Sequence, residues 1–201
     1  MRNLKPVLGD IFVPSRRGFT IVEVLVTLTI FSVISGVVLV RYKDFSGGIV
    51  LSNLAYEIAI TIRQAQVYGL SVKAAPPSSN FNFPYGVHFS NELVNSFVLF
   101  ADVNNNGYES GEVVETLTTR QGNTIKSFCA VTDSGVSKCN IGTPQLITSL
   151  DITFLRPDPD AKFKTNLAGD VYKEASVTVS SPGTERNKTI SIKSTGQISV
   201  Q

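Results

Sequence analysis

The chain has 201 residues, 42% hydrophobic and 17% charged, enough to bury one sizeable core and too few for two independent ones. Its formal charge of +2 hints at a nucleic-acid partner until it is divided by position: residues 1–18 hold Arg2, Lys5, Arg16 and Arg17 against Asp10. Without them, residues 19–201 carry 14 basic and 15 acidic side chains, a net of −1, so the electrostatic drive toward DNA is weak.

From Phe19 to Val40 the sequence runs 22 residues with one charge, Glu23, and no proline. At about 1.5 Å per residue such a helix is roughly 33 Å long, enough to span a bilayer core. Its apolar residues surround the helix instead of forming a stripe, the pattern of a helix in lipid or inside a bundle. Arg16 and Arg17 precede it, whereas Asp44 partly offsets Arg41 and Lys43 beyond it. The positive-inside tendency then places the N-terminus in the cytoplasm. A carboxylate in hydrocarbon costs a few kcal/mol unless it is paired. Cleavage between Gly18 and Phe19 creates an α-amino group within reach of Glu23, or of a neighbouring copy's Glu23; a shallow Glu23 that snorkels to the interface is the alternative. An ordinary secretory signal has a shorter apolar region and a small-residue cleavage site. Ser15, Arg16, Arg17, Gly18 and Phe19 also resemble a twin-arginine signal, against which stand Glu23 and the lack of an Ala-x-Ala site.

The string RRGFTIVEVLVTLTIF resembles the type III signal of type IV pilins and of the pseudopilins of type II secretion: a basic leader ending in Gly, then Phe, with Glu at the fifth mature position. The resemblance implies cutting after Gly18 by prepilin peptidase, N-methylation of Phe19 by the same enzyme, and pairing of Glu23 with the Phe19 amine of an adjacent subunit.

After Gly47-Gly48, expected as a short interruption or hinge, Leu51, Leu54, Ala55, Ile58, Ile62 and Ala65 recur at spacings of three and four, predicting an amphipathic helix to about Leu70. Its apolar face is expected on a sheet, with Glu57, Arg63 and Gln64 turned away. Pro76 and Pro77 stop helical structure. Short strands are then predicted at Tyr85–Phe89, Ser96–Ala101, Val113–Leu117, Leu150–Leu155, Ala175–Ser180, Thr189–Lys193 and Gln197–Val200, with turns at 180–183 and 194–196. The absence of later helical patterns favours an antiparallel sheet. The fold class is therefore α+β, with a long N-terminal helix packed on an antiparallel sheet domain as in pilins. The expected divisions are a cleaved leader, 1–18; a transmembrane or filament-core helix, 19–40; its amphipathic continuation, 41–75; and a β-rich extracytoplasmic domain, 76–201.

The order of this second helix with QAQVYGLSVK, then FVLFADVNNNGYESGEVVETL and TISIKSTGQISV, resembles the pseudopilin H and FimT-type minor pilins. Some of these bind DNA through a C-terminal Gly-Arg-x-Arg segment, where this chain has Gly196, Gln197, Ile198 and Ser199, so DNA is not expected as a partner.

Among candidate sites, Cys129 and Cys139 lie in a stretch rich in Ser, Gly, Thr and Asp with no CxxC and no histidine cluster, which disfavours zinc. A disulfide is the reading if the domain lies outside the cytoplasm, and two free thiols otherwise. Asp102, Asn104, Asn106 and Gly107 match the start of a calcium loop, but the twelfth position is Val113; Glu112 closes a weak variant site only if the loop is one residue shorter. The competing reading is a polar hairpin loop whose Asn and Gly supply left-handed backbone. His88, the only histidine, is expected on one face of a strand, and Phe81, Phe83, Tyr85 and Phe89 are expected in the core ahead of an adhesive patch. No GxSxG, HExxH or phosphate loop occurs, so no enzymatic activity and no obligate cofactor are expected.

These residues point to an assembly protein. Its expected partners are prepilin peptidase, other pilin or pseudopilin subunits, an inner-membrane assembly platform and, before assembly, membrane lipid. The expected location is a single pass of the inner membrane with the N-terminus inside, then a pilus or pseudopilus. A membrane-anchored binding module that never polymerises, or a DNA-uptake minor pilin, is the alternative.

Overall fold

The structure is a computed structural model describing residues 18–71, 73, 82–142, 146–183 and 186–201, with backbone alone for 40–46. The basic leader with Arg16 and Arg17, the helix stop at Pro76 and Pro77, Phe81, and the side chains of Arg41, Lys43 and Asp44 lie outside the described residues. The chain divides into two compact units, Met1–Lys43 and Asp44–Gln201. Helix α1, Ile21–Leu70, begins in the first and ends in the second.

In the first unit, Ile21–Leu39 is long and apolar enough to cross a membrane. Its large apolar side chains are exposed around the whole helix. Only lipid or neighbouring apolar helices can solvate such a surface. The few hydroxyls are satisfied locally: Thr27 donates to the Val24 carbonyl at 2.9 Å and Thr29 to that of Leu25 at 2.8 Å.

In the second unit α1 runs through Gly47 and Gly48 without the expected interruption. Two helical glycines cost about 1 kcal/mol each relative to alanine. A Cβ at Gly48 would stand 3.0 Å from Nη1, the far end of the Arg186 side chain, and one at Gly47 would lie in ordinary contact with Ser181 Oγ at 3.6 Å, so packing does not by itself demand either glycine. Leu51, Leu54, Ala55, Ile58, Ile62 and Ala65 form one buried face, as their spacing predicts.

Ten strands follow: β1 Tyr85–Ser90, β2 Ser96–Ala101, β3 Val113–Thr118, β4 Thr124–Thr132, β5 Ser137–Cys139, β6 Ser149–Leu155, β7 Asp158–Thr165, β8 Tyr172–Ser180, β9 Asn187–Lys193 and β10 Ile198–Val200. They form two antiparallel sheets, ordered β3-β2-β1-β6-β7 and β10-β9-β8-β4-β5. The chain therefore changes sheet after β3, after β5 and after β7. A single core takes Val87, Phe89, Phe97 and Ile152 from the first sheet, Phe128, Val177 and Ile190 from the second, and the buried face of α1.

The strands β4, β5 and β7 were not expected. In β4 the register shifts between Ile125 and Ser127, so the buried Ile125 and Phe128 stand three apart and the two-residue alternation fails. Strand β7 carries Pro159 and a mostly exposed first half, composition that reads as loop and that only an edge position tolerates.

Two close approaches join α1 to the sheets. The Gly69 carbonyl accepts from Arg156 N at 3.1 Å, and a Cβ at Gly69 would collide with the Phe154 carbonyl of β6. Gln66 Nε2 donates to the Pro159 carbonyl at 2.9 Å, beside Gly196, which turns β9 into β10 with φ of 77°.

Candidate assembly segment and the loop above the first sheet

Gly18 and Phe19 stand exposed ahead of α1, Phe19 at 81%. Thr20 caps the helix, its Oγ1 accepting from Glu23 N at 3.2 Å, and Glu23 occupies the first turn. Thr20-Ile21-Val22-Glu23 has the spacing of a capping box, in which a carboxylate is also favoured by the positive end of the helix dipole. The sequence pairs Glu23 with the α-amino group of its own or a neighbouring copy's Phe19, or leaves it snorkelling to the interface; the T-x-x-E signal for a local capping role is legible as well.

At β1, β2 and β6 the outer face of the first sheet is also buried. His88 and Asp151 are cross-strand neighbours on β1 and β6 and hydrogen-bond through Nδ1 and Oδ1 at 2.5 Å. The loop 102–112 lies over them. Tyr108 stacks on His88, with ring centroids 4.1 Å apart, and meets Phe100 edge-on at 5.4 Å. Asp151 Oδ2 accepts the Tyr108 N–H at 3.1 Å, so one buried carboxylate holds both the strand histidine and the loop backbone. His88 thus has a structural environment, on one face of a strand as its position predicts.

Within the loop, the oxygens of the calcium-like residues hold the loop's own N–H groups. Asp102, fully buried, accepts from Asn106 N at 2.9 Å through Oδ1 and from Gly107 N at 3.1 Å through Oδ2. Glu112 accepts from Val103 N at 2.8 Å and Glu109 N at 3.3 Å. Asn104 and Asn106 turn their amide nitrogens to Glu109, at 3.0 and 2.9 Å. Lys164 Nζ donates to the Asn105 carbonyl at 2.7 Å and lies 3.7 Å from Asp102 Oδ2, a cation where a metal reading needs open oxygens. Asn105 and Gly107 take left-handed backbone, φ 60° and 100°. Among the described residues no group of three or more His, Cys, Asp or Glu side chains is placed to hold a metal ion.

Cys129 and Cys139 are directly opposed on β4 and β5 and bonded through their sulfurs. Beside them Lys138 donates to Asp170 at 2.7 Å, and Asp170 also accepts from the Tyr172 hydroxyl at 3.1 Å. The Lys138 bond holds the Asp170 carboxyl below its ordinary range and lifts the lysine above its own. Burial pushes the Tyr172 hydroxyl up.

A family model described as the prokaryotic N-terminal methylation motif matches residues 14–39. The chain carries the type IV pilin and pseudopilin signature. The motif marks a structural subunit and not an enzyme, and it implies processing by prepilin peptidase and assembly with other pilins. With the apolar helix Ile21–Leu39 it describes a membrane anchor followed by a C-terminal domain, and the helix followed by antiparallel sheets is a pilin-like α+β layout. The match ends before Asp44 and leaves the pilin-like chain's second unit unassigned. No curated protein and no solved structure matches the chain.

Proposed function

We propose that this chain is a minor pilin or pseudopilin, cut between Gly18 and Phe19, methylated at the Phe19 amine and built into a filament by its N-terminal helix. The observation that carries this reading is the methylation motif at 14–39, ending in a helix segment whose apolar side chains are exposed on every side. In the membrane, lipid solvates that surface; in a filament, the helices of other subunits do so, and a Glu23 carboxylate paired with a neighbour's Phe19 amine fixes their register. The second unit stands outside the cytoplasm, where Cys129 and Cys139 stay oxidised.

The test is the intact mass of membrane-extracted protein made with and without prepilin peptidase. A peptidase-dependent chain beginning at methylated Phe19 is expected; an uncut chain, or one cut beyond Val40, overturns the proposal. The Thr20 cap favours a second, purely local role for Glu23. Glu23→Gln separates the two, because glutamine is an accepted capping-box partner but cannot form an ion pair. Assembly is expected to fail in E23Q while the protein remains in the membrane; normal assembly would assign Glu23 to the cap alone.

A further inference from the structure

A cleft runs along one flank of α1 in the second unit, between the helix and edge strand β3. Its outer part is walled by Tyr56 and Gln64 of the helix and by Glu115 and Leu117 of the strand. Its inner part, of about 220 Å³, is walled by Val50 and ends on Arg120 and Asn123. Asn53 and Glu57 line both parts and make them one cleft. Val50 and Gln64 are fourteen residues apart. At about 1.5 Å per helical residue that is roughly 21 Å, the length of about six residues of extended chain. The closed end is a tight turn: Gln121 and Gly122 take left-handed backbone, φ 54° and 75°, and the Asn123 N–H donates to the Arg120 carbonyl at 3.1 Å. With its main-chain donor so occupied, Asn123 has its amide left, whose Nδ2 is buried and without a hydrogen-bond partner among the described residues. Asn123 is only 2% exposed, so bulk solvent does not supply the acceptor that a buried donor requires. Arg120 beside it is exposed and, like Glu57 and Glu115, makes no ion pair among the described residues. The cleft therefore offers donors at its closed end and carboxylates along its length.

We infer that this cleft holds the C-terminal end of an extended peptide with a basic residue close to its terminus. The terminal carboxylate meets the Arg120 guanidinium and the Asn123 amide at the closed end. The basic side chain runs between Glu57 and Glu115, beside the Tyr56 ring. The peptide backbone pairs with β3, which as an edge strand leaves the N–H and C=O groups of every second residue free. A simple anion such as phosphate fits poorly, because Glu57 lines the same inner part as Arg120. A simple amine would meet the carboxylates and leave the Asn123 donor unpaired. The inference stands apart from the assembly reading: it concerns the second unit alone and holds whether or not the chain polymerises.

The test is fluorescence anisotropy of the labelled peptide Ser-Thr-Lys-Val-Thr-Val, with a free C-terminal carboxylate, on the full-length detergent-extracted chain. Two further probes are the same peptide ended as an amide and one with glutamate in place of lysine. Saturable binding of the acid is expected, about tenfold weaker for the amide and for the glutamate peptide. Arg120→Glu should erase the preference for acid over amide. Glu115→Lys should turn the preference toward the glutamate peptide, a gain that also shows the variant folds. No saturable binding, equal binding of acid and amide, an unchanged preference in Arg120→Glu, or competition by free lysine as strong as by the unlabelled peptide would overturn the inference. The filament reading is untouched by any of these results, since it is tested by processing at Gly18.

Discussion

Replacement of Asp151 by alanine strikes the bond between the first sheet and the loop above it. Asp151 is 9% exposed, and its carboxylate holds two donors, His88 Nδ1 and Tyr108 N. Two such bonds contribute about 1 kcal/mol each, and leaving buried donors without acceptors adds a similar amount, so the loss is about 3 kcal/mol. For a unit the size of 44–201 that is a fall in Tm of about 6–12 °C. Asp151→Asn keeps the shape and one acceptor oxygen, turns an N–H toward the second donor, and should cost about half as much. The assay is thermal unfolding of the detergent-extracted chain followed by near-ultraviolet circular dichroism, which reports the stacked Tyr108, with hydrogen exchange at the Tyr108 amide. A Tm within 2 °C of wild type, or an unchanged rate of exchange at Tyr108, would refute the idea that Asp151 clasps the loop.

Gly196→Ala is expected to cost more than 1 kcal/mol, since φ is 77° and the added Cβ meets the Pro159 carbonyl and the Gln66 amide; chemical denaturation reads the loss. Cys129→Ser with Cys139→Ser releases a cross-link of sequence separation 10, for which the chain-entropy model gives roughly 3 kcal/mol; the same denaturation, with reduced wild type as the control, checks it. Asp170 is held below its ordinary pKa by Lys138, so its contribution to stability is present above the usual carboxylate range and lost as pH falls through its folded value; Asp170→Asn should flatten the acid limb of the stability profile. Lys138 is raised by the same bond, so the contribution is also lost as pH climbs through the lysine's elevated value; Lys138→Gln should flatten the alkaline limb.

The sequence by itself determined the elements whose signal is local. An apolar run of 22 residues with a basic leader and Glu23 is a statement about lipid and processing that requires no tertiary contact, and the three-and-four spacing from Leu51 to Ala65 predicted the buried helix face. Strand β2 was legible to the residue because its apolar run is bounded by turn residues. The loop 102–112 was legible as a choice between a metal site and a polar hairpin. Only the fold turned Asp102 toward Asn106 and Gly107 and placed Lys164 of β7 beside it. The fold also decided that there are two sheets, because the pairing of β4 with β8 joins residues far apart in the chain, and that α1 passes through Gly47-Gly48 unbroken. His88 shows the same division: its place on a strand face follows from the alternation in β1, whereas its partner Asp151 lies 63 residues away, brought beside it by the pairing of β1 with β6. Periodicity records which side of an element is buried; what it is buried against is set by the register between elements, which no local pattern contains.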